Sequence, residues 1–101
     1  MELPKTNPTT TNSWNKLTQL AKEPKTLQNY FADNTSRAAQ FSIAWDSFFL
    51  DYSKNHIDKD IQSALLGLAN EVGLEDARKA YFSGEIINQT EGRAVLHTAL
   101  R

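Results

Sequence analysis

Cysteine is absent from this chain, and with it go disulfide scaffolds, thiolate metal sites and cysteine nucleophiles, although that absence does not by itself identify a compartment. A surplus of charge is missing too: 11 Lys and Arg stand against 12 Asp and Glu, for a net charge of -1, so nothing gathers phosphates in the way a nucleic-acid-binding surface must. Long apolar runs are lacking. The most apolar stretch, Phe41 to Tyr52, is broken by Asp46 and Asp51 and cannot span a bilayer. Neither a nucleic-acid nor a membrane partner is therefore expected. The opening Met-Glu-Leu-Pro-Lys has no secretory character and Glu2 argues against a mitochondrial presequence, which leaves a cytoplasmic location as the expectation. The glycines occur singly, without a Gly-x-Gly-x-x-Gly phosphate loop, and His56 and His97 lack metal-ligand spacing, so no metal or cofactor is expected. At 101 residues the chain is one domain at most.

What is present is a change of hydrophobic period along the chain. Residues 1–12 are rich in Thr, Asn and Pro and read as a disordered tail. Ser13 is a candidate N-cap for a helix carrying Trp14, Leu17, Leu20 and Ala21, stopped by Pro24. Thr26 can cap a further short helix with Leu27, Tyr30 and Phe31 on one face, ending near Asp33-Asn34. Phe41, Ile43 and Trp45 then alternate with smaller or polar residues, and Phe48 to Tyr52 follows, which predicts a β-hairpin turning at Asp46-Ser47. The clearest helix opens at Asn55 or Asp58 and carries Ile61, Leu65, Leu68 and Val72 inward, with Phe41, Ile43 and Leu50 as expected partners and Gly73 as its left-handed stop. A second helix runs from Glu75-Asp76 to Gly84. Asn88 with Glu91 three residues on resembles a capping box, predicting a last helix through Val95, Leu96, Ala99 and Leu100.

On that last helix Arg93, His97 and Arg101 recur every four residues and form one polar stripe. Such a stripe could face an anion, but a solvated or structural role is the expectation, because Asn88 and Glu91 already occupy the helix start. Ser53-Lys54 suggests a Ser-Lys nucleophile pair only superficially, since adjacent residues point apart and this stretch has turn composition. Composition and periodicity stop at a small α+β piece, mostly helical with one hairpin.

Two segments say more. Asp51-Tyr52-Ser53-Lys54-Asn55, and the run from Gly84 through Thr90-Glu91-Gly92-Arg93-Ala94-Val95-Leu96-His97-Thr98-Ala99-Leu100-Arg101, closely resemble the N-terminal region of the phosphoglucose isomerases. The resemblance extends from Trp14 onward, including Asp33, Arg37 and Phe41, while Ile86 stands where the family commonly has Lys and Gln89 where it often has an aromatic. It implies that residues 13–101 are the start of a much longer, dimeric, metal-independent enzyme of two α/β sugar-isomerase sandwich domains. That enzyme interconverts glucose 6-phosphate and fructose 6-phosphate. In the family a His and a Lys help open the sugar ring, a Glu moves a proton between C2 and C1 through an enediol, and Ser/Thr groups hold the phosphate. The resemblance puts all of these beyond Arg101, so no catalytic or substrate-binding residue is expected here, and Arg93, His97 and Arg101 are expected to be structural or to support other side chains. The competing expectation is a small independent helical interaction module, binding a partner through apolar faces around Leu65, Leu68 and Tyr81.

Overall fold

The computed structural model describes residues 3, 5–88 and 92–94. A 3-10 turn at Pro8–Thr10, inside the stretch expected to be a tail, leads into helix α1 (Asn12–Ala21). The N-cap of α1 is Thr11 rather than Ser13: its extended backbone lets its hydroxyl accept from the Trp14 amide at 3.2 Å. Ser13 is taken by a different partner. Its hydroxyl donates to the carboxylate of Glu71, which also accepts the backbone amides of Asn12 and Ser13 at 3.1 Å each. A carboxylate from the far end of another helix thus fills the electropositive start of α1.

Helix α2 (Leu27–Asp33) is capped by Thr26 as expected, and a single-turn helix α3 (Arg37–Gln40), not foreseen, precedes the hairpin of β1 (Ser42–Trp45) and β2 (Phe48–Asp51). Asp46 adopts a positive φ of 51° in the turn, a conformation Asp tolerates better than most residues. Helix α4 (Lys59–Glu71) starts at Asp58, whose carboxylate accepts from the Ile61 amide at 2.8 Å. Gly73, at φ 79°, turns the chain into α5 (Leu74–Ser83), and Gly84 ends that helix.

A second antiparallel hairpin follows, of β3 (Ile86–Asn88) and β4 (Arg93–Ala94), where the sequence predicted the start of a helix. Gly92 explains the difference: its φ of 65° reverses the chain and cannot belong to a right-handed helix passing from Asn88 to Val95. The architecture is therefore α+β with two hairpins instead of one. Glu91 and residues 95–101 lie outside the described residues.

Packing departs further from expectation. α4 lies against α1 and not against the hairpin, and the approach is close at Gly67, where a Cβ would come within 2.7 Å of the Ser13 hydroxyl. Among the described residues Tyr30, Phe41, Ala64 and Ala80 are the buried apolar ones, whereas Leu65, expected inside, is exposed, as are Ile43 and Leu50. The molecule is a slab of 50 × 38 × 16 Å, little thicker than one helix with its side chains.

Candidate functional site

Arg37 is the most unusual side chain in the structure: a guanidinium only 2% exposed. Its charge is met by backbone carbonyls and rings. Nε donates to the carbonyl of Ser53 at 2.7 Å and Nη2 to that of Asn55 at 2.9 Å. The guanidinium carbon lies 4.6 Å from the centroid of Tyr30, 5.6 Å from Phe31 and 4.5 Å from Phe41, distances at which ring quadrupoles attract a cation. The single turn of α3 sets Arg37 and Phe41 one helical step apart, and Tyr30 and Phe31 arrive from α2.

The receiving loop is the Asp51-Tyr52-Ser53-Lys54-Asn55 motif. Asp51 accepts from the Ser53 amide at 2.9 Å and its hydroxyl at 2.6 Å, bonds that hold the Asp51 carboxyl below its ordinary value, with Lys54 adding a smaller pull. Tyr52 packs edge-on against Phe41 with 5.5 Å between ring centres, and its amide donates to the Phe41 carbonyl at 2.9 Å. Ser53 is buried with its hydroxyl committed to Asp51 and Lys54 is exposed, so the pair is a turn and not a nucleophile with its base. The motif is a latch.

Beside this latch is a cleft of about 270 Å³ lined by Lys25, Asp33, Arg37, Asp58, Lys59 and Asp60, among others. Three cations face three carboxylates, so the cleft has no surplus charge with which to concentrate a phosphate. The described acids with perturbed titration, Asp51 and Glu75, are both held low, Glu75 chiefly by its hydrogen bonds to Arg78; a general acid or base working near neutrality needs the opposite shift. No group of metal-ligating side chains occurs among the described residues. An apolar groove of about 390 Å³ between α1, α2 and α4 is lined by Leu17, Leu20, Tyr30, His56 and Ile61, and carries no carboxylate, lysine or arginine beside His56.

Of the residues expected in a polar stripe, Arg93 sits exposed on β4, not on a helix. His97 and Arg101 lie outside the described residues. Sequence reading gave Arg37 no chemistry of its own; the signal was an Arg flanked within seven residues by Tyr30, Phe31 and Phe41.

The latch residues coincide with the start of a family match. The sequence profile of phosphoglucose isomerase matches residues 51–101. The chain belongs to the phosphoglucose isomerase family. A glucose-6-phosphate isomerase of Christiangramia forsetii is 50% identical over 97 residues, covering 94% of this chain and 18% of the relative. That of Pseudomonas entomophila is 56% identical over 75 residues, 74% of this chain and 14% of its own, and that of Alteromonas mediterranea 48% identical over 90 residues, 87% and 16%. The chain thus spans 14–18% of the length of these phosphoglucose isomerases, and more than four-fifths of each lies outside the match.

Proposed function

We propose that this chain is the N-terminal part of a glucose-6-phosphate isomerase, an aldose-ketose isomerase of the cytoplasm that interconverts glucose 6-phosphate and fructose 6-phosphate in glycolysis and gluconeogenesis. The observation carrying this reading is half-identity to a glucose-6-phosphate isomerase across 94% of the chain. In this reading residues 13–101 are a structural layer against the α/β sandwich domains of a homodimeric, metal-independent enzyme. The catalytic groups lie elsewhere in the polypeptide. A charge-balanced cleft, acids held low and a Ser53 locked in a turn all support a part that builds the enzyme without touching the sugar.

Arg93, His97 and Arg101 then act structurally. Arg93→Ala in the whole enzyme should lower thermal stability with only a modest loss of turnover, and a collapse of turnover at unchanged stability would place it at the substrate instead.

The test of the main reading uses two proteins: the 101-residue chain alone, and a chimera in which it replaces the matching segment of the Christiangramia forsetii enzyme. With fructose 6-phosphate the chain alone should show no isomerisation and the chimera should turn over. Activity in the isolated chain, or a folded but inactive chimera, would overturn the proposal.

A further inference from the structure

The turn of the first hairpin holds a residue in an unfavourable place. Because the register pairs Trp45 with Phe48, only Asp46 and Ser47 lie between β1 and β2. Asp46 has a positive φ of 51° and Ser47 does not. Of the two-residue turns that suit a hairpin, this is the pattern of type II′, whose first central position favours glycine and takes a ψ of about −120°. An L-residue there is strained. At that ψ the residue's Cβ eclipses the next nitrogen across the Cα–C bond, so one side-chain rotation brings the Asp46 carboxyl carbon against the Ser47 nitrogen.

Both groups are open to reaction. Asp46 and Ser47 are exposed, and among the described residues neither the Asp46 carboxylate nor the Ser47 amide has a hydrogen-bond partner. Other acids are held differently: the Asp51 carboxylate accepts twice from Ser53, and that of Asp58 accepts the Ile61 amide. Asp76 lies in α5, where the Ala77 amide donates to the Gly73 carbonyl at 3.1 Å. A helical ψ of about −42° also turns the following nitrogen away from Cβ.

We infer that Asp46 is a site of spontaneous backbone modification, isomerising to isoaspartate through a succinimide that the hairpin turn preorganises. The Ser47 nitrogen bonds to the Asp46 Cγ, while its proton and the carboxyl hydroxyl leave together as water. Water then adds back at either carbonyl of the ring. Breaking the bond from nitrogen to Cγ restores aspartate, whereas breaking the bond from nitrogen to the backbone carbonyl carbon routes the main chain through Cβ and Cγ and leaves the free carboxylate on Cα. Water is the only co-reactant and nothing is oxidised or reduced. The extra main-chain carbon falls beside the Trp45 and Phe48 rings, which stack with centres 5.9 Å apart into a flat apolar plate, and a turn of two residues has no slack to absorb it.

Prolonged incubation of the 101-residue chain at neutral pH, in buffer and in guanidinium chloride, tests the inference, with isoaspartate mapped by electron-transfer fragmentation and Asp76 as internal reference. In buffer Asp46 should isomerise several-fold faster than Asp76, and denaturant, which dissolves the turn, should slow Asp46 itself. A rate at Asp46 that is equal or higher in denaturant would overturn the inference. Asp46→Asn closes the same ring with loss of ammonia, so its deamidation, read as a mass gain, should slow in denaturant too; no slowing would overturn the inference as well. Asp46→Gly suits the turn and should raise the melting temperature, whereas a lower one would remove the turn geometry on which the reaction depends.

Discussion

Arg37 shows how one charged residue can be buried at low cost when the backbone is arranged around it. Two carbonyls and three ring faces replace the water it gives up. Arg37→Ala should destabilise the chain by about 3 kcal/mol, because the Ser53 and Asn55 carbonyls lose their donors and the rings their filling. Urea unfolding checks this, and a loss under about 1 kcal/mol would show that the latch opens to water without penalty. Asp51 gives the same loop a pH dependence. Its carboxyl is held below the ordinary 3.8, chiefly by the Ser53 hydroxyl and then the Ser53 amide, so its contribution is fully present above that value and is lost as pH falls through the lower, folded-state value. Asp51→Asn should therefore narrow the gap between the urea midpoints measured at neutral pH and in strong acid. An unchanged gap would show that Ser53 makes no difference to Asp51 titration.

At the scale of elements the junction of α1 and α4 is held by Glu71 across the α1 N-terminus and by the close approach of Gly67 to Ser13. Gly67→Ala ought to help α4 by about 1 kcal/mol on helix propensity alone. The new methyl group would instead push the Ser13 hydroxyl off Glu71, costing a charge-assisted hydrogen bond of about 1.5–3 kcal/mol, so the single substitution should be neutral to destabilising. In a Ser13→Ala background the obstruction is gone, since the Ser13 Cβ stands 3.7 Å away, and Gly67→Ala should become stabilising. Thermal melts of the two single variants and the double variant measure the coupling; strict additivity would refute the contact.

The whole molecule is a layer and not a ball. A radius of gyration of 17.5 Å compares with about 13 Å for a compact chain of this length. Small-angle scattering from the monomeric chain should return a value near 17.5 Å, and one near 13 Å would mean that the hairpins fold back onto the helices in isolation. The shape follows from a shortage of second-side partners. α1 covers one side of α4, and the hairpin that might have covered more lies away from it with its plate exposed. A part of a larger enzyme can leave those faces open because the rest of the polypeptide supplies their cover.

The local elements were legible because their causes are local. Thr26 and Asp58 cap helices through their own side chains, Gly73 and Gly84 supply left-handed stops, and the alternation around Trp45 and Phe48 specifies a hairpin. The family, too, was written in residues 51–55 and in the run ending at Arg101. Three matters escaped the local rules, two of them because they depend on groups far apart in the chain. The α1 cap moved to Thr11 because Ser13 is claimed by Glu71, 58 residues away, and no local rule contains that carboxylate. The Asn88-Glu91 spacing fits a capping box, yet the positive φ at Gly92 reverses the chain into a hairpin, a choice that a cap motif worth about 1 kcal/mol cannot override. Arg37 looked like an ordinary surface cation until folding brought the Ser53 and Asn55 carbonyls to it. The sequence by itself determined α1, α2, the first hairpin, α4 and α5 and the family they belong to, because propensity, capping and motif identity act over a few residues. Only the tertiary structure decided which faces are covered, because burial depends on what the rest of the chain brings to each surface.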